Sequence, residues 1–106
     1  MELTEISVRL RDEKKLRAFV NITFDNVFAI KGLKVIRAKK GYLLCMPSRK
    51  AEDGSQRDIA HPITREFRGK LENEVLAEFY RVLERAAKGE YEDPFVEEEE
   101  ESEYVE

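Results

Sequence analysis

The chain has 106 residues, of which 42% are hydrophobic, and a formal charge of −4. A chain of this length forms one small domain at most, and its apolar content excludes disorder along the whole length. It contains no run of about 18 apolar residues, and the first 15 residues include acids and bases instead of a continuous apolar stretch, so we expect neither a membrane span nor a signal peptide.

The charge is unevenly distributed along the chain. Residues 1–89 contain all 19 Lys and Arg against 13 of the 23 acids, a balance of +6, whereas residues 90–106 contain the other ten acids and no base. The sequence therefore predicts a basic domain over residues 1–89 and an acidic, disordered tail over residues 90–106. The single cysteine, Cys45, excludes an internal disulfide and indicates a cytoplasmic protein.

Alternation of apolar and polar residues predicts strands in the first half of the chain. Asp25-Asn26 is typical of a tight hairpin with positive φ, and the alternation changes parity at Gly32, which predicts a bulge. Short turns separate the strands, so we expect an antiparallel meander. The four predicted strands cover residues 6–10, 16–24, 27–37 and 42–46.

A helical pattern follows over residues 65–88, with Thr64 as its N-cap and Gly89 as its C-cap. Leu76 and Leu83 widen its apolar stripe, which could then cover both the sheet and a second subunit. The fold class predicted is α+β, a four-stranded antiparallel meander, a long loop or arm and one C-terminal amphipathic helix, assembled as a homodimer. The stripe consists of Phe67, Leu71, Val75, Phe79, Val82 and Ala86.

The connection before the helix has an unusual sequence. Residues 46–63, MPSRKAEDGSQRDIAHPI, resemble the M-P-S-[KR]-[KR]-x-x-D-G-x-x-R-D-I-A-H-P-I of the stage V sporulation protein G (SpoVG) family. Residues 68–71 and 75–79 resemble the family's R-G-K-I and A-V-L-A-E-Y, and residues 8–11 match its V-R-L-R. The resemblance covers about residues 1–85. It implies a four-stranded sheet packed on a C-terminal helix, a dimer, and a regulator of sporulation and septation that binds DNA and RNA.

Basic residues of the connection and the first helical turns are the candidate contacts to phosphate, assisted by helix N-terminal amides. The alternative is that they are solvated cations paired with Glu52, Asp53, Asp58 and Glu66. The candidate nucleic-acid-binding residues are Arg49, Lys50, Arg57, Arg65, Arg68 and Lys70. A second cluster is more typical of a charged turn that discourages edge aggregation. Its members are Lys34, Arg37, Lys39 and Lys40.

We expect no enzyme, cofactor or metal site. A zinc site needs three or four ligands, whereas the chain has one histidine and one cysteine. We therefore predict a structural hydrogen bond for His61 and a buried apolar position for Cys45. Neither glycine-rich phosphate-binding fingerprint occurs in the sequence.

The sequence thus predicts a cytoplasmic, homodimeric regulator without membrane insertion, with DNA as its partner and RNA as a second candidate. The alternative is a protein–protein adaptor of the cell-division machinery that does not bind nucleic acid and whose basic surface recognises an acidic partner. For the acidic tail two interpretations remain open. It is either a solubilising extension or a segment that folds back over the basic domain and competes with nucleic acid.

Overall fold

A computed structural model of the protein describes residues 1–94. An antiparallel sheet forms from β1 (Leu3–Leu10), β2 (Leu16–Phe24), β3 (Phe28–Ala38) and β4 (Gly41–Cys45). The strand order is β1-β2-β3-β4, each strand pairing with the next in the chain, which confirms the predicted meander. Most of the predicted acidic tail, residues 95–106, lies outside the described residues.

Local backbone geometry explains the β2–β3 hairpin and the parity change. Asp25 and Asn26 have φ values of 51° and 58°, as a tight hairpin of right-handed twist requires. Gly32 has φ of 87° and lies where the β2–β3 register shifts, between Ile30 and Leu33. The shift confirms the predicted bulge, and because of it Ile30 and Leu33 both contribute to the core despite their odd spacing.

The long connection contains a second, smaller sheet. The strands β5 (Ser48–Lys50) and β6 (Gln56–Asp58) pair with each other, and we call residues 48–58 the ribbon. Asp53 Oδ1 accepts hydrogen bonds from Ser55 N at 3.0 Å and Ser55 Oγ at 2.6 Å, which lower the pKa of Asp53. Every strand residue of the ribbon is exposed, so the backbone pairing and the turn hold it.

One helix, α1 (Arg65–Ala87), follows the ribbon; Thr64 is its N-cap as predicted, whereas its C-cap is Lys88 and not the predicted Gly89. Thr64 Oγ1 accepts from Phe67 N at 3.2 Å. At the other end Lys88 is the C-cap and Gly89 follows with φ of 75°. Gly89 N donates to Ala86 O at 3.0 Å and Glu90 N to Arg85 O at 2.8 Å, the two bonds of a Schellman motif.

The helix packs on one face of the sheet and forms the core with it. Phe79 and Val75 have no exposed surface, and the Phe79 ring meets Tyr42 edge-on with centroids 4.8 Å apart. Burial of a side chain such as Phe79 contributes about 1.5–3 kcal/mol. The opposite face of the sheet, which we call the open face, is not covered by the helix. The fully buried strand side chains are Ala18, Val20, Ile22, Leu33 and Val35.

Residues 90–94 return from the helix to the edge strand β1. The hydroxyl of Tyr91 accepts a hydrogen bond from Leu10 N at 2.9 Å, and its ring packs against the core. Asp93 Oδ2 lies 3.0 Å from Arg9 Nε. The first residues after the helix are therefore held on β1. No helix within residues 1–94 has the length and apolar character needed to cross a bilayer.

Candidate nucleic-acid interface

The ribbon and the start of α1 lie at the same end of the sheet. The ribbon begins shortly after the last residue of β4, and Ile59 N donates to Pro47 O at 2.7 Å. The first turn of α1 lies beside the last residue of β2, because the rings of Phe67 and Phe24 are 6.0 Å apart. All six predicted phosphate contacts therefore lie in elements at this end, which we call the arm end.

Two of the six residues face each other across the ribbon. Arg49 and Arg57 are direct cross-strand partners, so both guanidinium groups project from the same side. Arg57 lies 3.7 Å from Asp53 Oδ2, whereas Arg49 has no ion-pair partner within residues 1–94. Like charges in direct opposition destabilise a strand pair. The ribbon thus carries two opposed positive charges, and a bound anion would reduce the repulsion between them.

The cations of α1 do not form one cluster. Arg65 and Arg68 are three residues apart and share a helix face, and Arg68 lies 4.0 Å from Glu72. Lys70 is roughly 140° around the axis from Arg65 at 100° per residue. Lys50 alternates with Arg49 and projects from the other side of the ribbon. The structure therefore places Arg49 beside Arg57 on one side of the ribbon and Arg65 and Arg68 on one face of α1, and it directs Lys50 and Lys70 elsewhere on their elements.

Neighbouring carboxylates form ion pairs with only some of the six predicted phosphate-binding residues, as far as the structure describes the chain. Among the described residues, ion pairs engage Arg57 and Arg68 out of the six predicted phosphate-binding residues. Both pairs are longer than 3.5 Å and solvent-exposed, and exposed pairs of this kind contribute about 0–1 kcal/mol. A phosphate can therefore replace either carboxylate at little cost.

Three members of the second basic cluster, Arg37, Lys39 and Lys40, lie at the opposite end of the sheet, whereas Lys34 lies within β3 opposite Phe19. Lys39 and Lys40 form the β3–β4 turn, and Arg37 N donates to Lys15 O at 2.8 Å. This bond brings the β1–β2 loop, with Lys14 and Lys15, against the cluster. These two lysines were not among its predicted members, although a meander places both loops at one end of the sheet.

His61 lies in the connection before α1, and Cys45 is the last residue of β4. His61 is exposed, and its Nδ1 lies 3.0 Å from Pro62 O, a local hydrogen bond of the predicted kind. Cys45 is half-buried because strand parity places it on the open face, which corrects the predicted buried position. Burial raises the pKa of the Cys45 thiol, against the lowering effect of Lys34. Within residues 1–94 no group of three or more metal-ligating side chains occurs.

An apolar cavity of about 290 Å³ opens at the arm end. Its walls come from the sheet, the segment after the ribbon and the first turns of α1, with Met46, Pro62 and Phe67 among them. Met1 and Ile63 also line it, although both side chains are largely exposed. The basic ribbon thus adjoins an incompletely filled apolar surface.

The open face contains a group of side chains that sequence reasoning missed. Phe19 lies between Arg9 on β1 and Lys34 on β3, its direct cross-strand partners. The guanidinium carbon of Arg11 lies 5.7 Å from the centre of the Phe19 ring. The available signal was the alternation of Arg9, Arg11, Arg17 and Phe19 with core residues, which assigns them all to one face.

Comparisons with a family model and with known proteins point to the same family. The sequence model of the SpoVG family matches residues 1–81. Three similar relatives are each named "Putative septation protein SpoVG". The relative from Anaeromyxobacter dehalogenans (strain 2CP-C) is 44% identical over 87 residues, 82% of this chain and 86% of the relative. That from Thermoanaerobacter sp. (strain X514) is 43% identical over 88 residues, 82% and 96% of the two chains. That from Acetivibrio thermocellus is 46% identical over 80 residues, 74% and 85% of the two chains.

Proposed function

The chain belongs to the SpoVG family, and from this membership and its surface charge we propose that it is a nucleic-acid-binding bacterial regulator associated with septation and sporulation control. The association with septation rests on the names of the relatives. Binding of DNA, and of RNA as a second target, rests on the family resemblance and on the cations of the arm end. We propose further that the protein acts as a cytoplasmic homodimer without catalytic activity.

The observation that carries the proposal is the opposition of Arg49 and Arg57 on an exposed ribbon. A hairpin that needs only solubility would alternate charge signs across the pair. Two guanidinium groups on one side instead form a fork that can hold phosphate oxygens, each through paired N–H donors. Arg65 and Arg68 at the neighbouring helix start extend the same charge.

Binding of this kind is electrostatic and depends on salt. Each phosphate neutralised on duplex DNA releases counterions and adds about 0.9 to the slope of log affinity against log salt. Non-specific complexes typically have dissociation constants of about 10⁻⁴–10⁻⁶ M near physiological salt. Two subunits joined by symmetry would double the number of phosphates neutralised and move the affinity toward the tighter limit.

The test is a gel-shift series on duplex DNA across salt concentrations. We expect the Arg49→Ala/Lys50→Ala double variant to bind more weakly and to lower the salt slope by about 0.9 for each phosphate that is no longer neutralised. The matched control is Lys39→Ala/Lys40→Ala, which removes the same charge at the other end of the sheet and should change the slope less.

Two results would contradict the proposal. Equal slopes for the two double variants would remove the arm end as the binding surface. Absence of any retardation of the wild-type protein at low salt, on both DNA and RNA, would remove nucleic acid as the partner. The adaptor function predicted as the alternative would then account for the basic surface.

A further inference from the structure

The open face presents one aromatic ring surrounded by cations. Phe19 is on β2, a central strand, and its side chain points away from the helix because its neighbours Ala18 and Val20 are fully buried. Arg9 and Lys34 are its direct cross-strand partners, and Arg11 lies within cation–π distance of the ring. Arg17, two residues before Phe19 on the same strand, projects from the same face.

The carboxylates near this ring can be displaced. Arg9 pairs with Asp93 at 3.0 Å and Arg11 with Glu13 at 2.8 Å, and all four side chains are partly exposed. The Arg11–Glu13 pair is the more exposed of the two, and exposed pairs contribute little to stability, so a phosphate can take the place of the Glu13 carboxylate at little cost. Lys34 is exposed and has no ion-pair partner within residues 1–94.

Charge also argues against a second copy of this chain as the occupant. Two open faces packed against each other would bring Arg9, Arg11, Arg17 and Lys34 of both copies into one interface. Like charges juxtaposed in an interface suppress association. A polyanion is the complementary partner, and the half-buried ring of Phe19 indicates a polyanion that also carries groups able to stack on an aromatic ring.

We propose that the open face binds single-stranded nucleic acid, with an unpaired base stacked on Phe19 and the flanking phosphates held by Arg9, Arg11 and Lys34. Bases of a duplex are stacked on one another, whereas the splayed bases of a single strand stack on aromatic rings and guanidinium planes. The inference rests on the proposed nucleic-acid function and assigns it a second surface, distinct from the arm end.

Fluorescence anisotropy with two labelled probes tests the assignment. One probe is single-stranded oligouridylate of about 12 nucleotides, within the usual site sizes of sheet-based binders, and the other is a DNA duplex of equal length. Phe19→Leu should weaken binding of the single strand about tenfold, since removal of one stacked base typically costs that much or more. Duplex binding should be unchanged, and Phe19→Tyr should retain single-strand affinity.

A spectroscopic readout separates stacking from a structural effect. The chain contains no tryptophan. The Phe19→Trp variant therefore has one indole, whose fluorescence should be quenched when oligouridylate binds. Leu43→Trp is the matched control, because Leu43 is half-exposed on the same face but lies on the edge strand β4. Its quenching should be smaller.

The failure of this inference is distinguishable from the failure of the proposed function. If wild type binds oligouridylate while Phe19→Leu binds equally well and the indole of Phe19→Trp is not quenched, the open face is not the site and the arm end remains. If wild type binds neither probe at low salt, both proposals fall. Sedimentation in which Phe19→Leu alone converts a dimer to a monomer would show instead that the open face is a subunit interface, which overturns the inference.

Discussion

At the scale of single residues, Tyr91 shows how one partly buried phenol holds the segment after the helix on the sheet. Its hydroxyl accepts from Leu10 N, and burial raises the pKa of the phenol above its ordinary value. The folded protein then retains this proton more tightly than the unfolded chain does. The resulting stability is fully present below the unfolded-state pKa of about 10 and is lost as the pH rises through the folded-state pKa.

We therefore expect the free energy of unfolding of the wild type to fall more steeply above pH of about 10 than that of Tyr91→Phe. Tyr91→Phe keeps the ring and its packing, so the comparison isolates the hydroxyl. Urea denaturation followed by circular dichroism, repeated from neutral to alkaline pH, measures the difference. Parallel pH profiles for the two proteins would mean that the phenol is not held in the folded state.

At the scale of elements, the ribbon combines weak intrinsic stability with concentrated charge. A lone two-stranded hairpin is marginal in water, and the Arg49–Arg57 opposition weakens this one further. Arg57→Thr replaces one charge with a residue of high strand propensity. We expect slower amide hydrogen exchange in residues 48–58 and weaker binding of duplex DNA from the same change.

Asp58→Thr is the matched control for this prediction, because it also places threonine on β6 but leaves both arginines in place. It should leave or strengthen DNA binding. If Arg57→Thr loosens the ribbon or leaves DNA affinity unchanged, the opposed arginines are not the binding feature.

Strand periodicity determines which elements could be predicted. The strands of the main sheet and α1 follow from apolar residues at periods of two and of three to four, because each buries one face. The ribbon escaped prediction because residues 48–58 contain only one apolar side chain, Ala51, so no period marks its strands. The environment of Phe19 could not be predicted because its neighbours come from three strands that only the sheet register aligns.

At the scale of the whole molecule, basic surface is present at both ends of the sheet and on the open face, and the acidic segment begins between them. Asp93 pairs with Arg9, which is one of the two direct cross-strand neighbours of Phe19. The last described residues therefore lie at the border of the open face. The hypothesis that the tail competes with nucleic acid stays a prediction. Asp93 shows only that an acidic residue after α1 can pair with a cation beside the open face.

The remaining prediction at this scale is dimerisation, and it rests on exposed apolar side chains at the arm end. Ile63 is 89% exposed and Met1 75%, and both line the apolar cavity of about 290 Å³. Phe28, 62% exposed, lies opposite Phe24, another residue of the cavity wall. Contiguous exposed apolar groups of this kind mark interaction surfaces, and a domain this small gains stability from burying them in a partner.

We expect analytical ultracentrifugation to give twice the 12.4 kDa chain mass for the wild type and the single chain mass for Ile63→Asp, because a carboxylate in an apolar interface loses its hydration without gaining a partner. Leu43→Asp is the matched control, since it places the same charge at a half-exposed leucine of the open face and should leave the dimer intact. A wild-type protein that sediments at 12.4 kDa at micromolar concentration would contradict dimerisation altogether. A dimer that Leu43→Asp dissociates and Ile63→Asp does not would move the interface to the open face, and would contradict the single-strand site there as well.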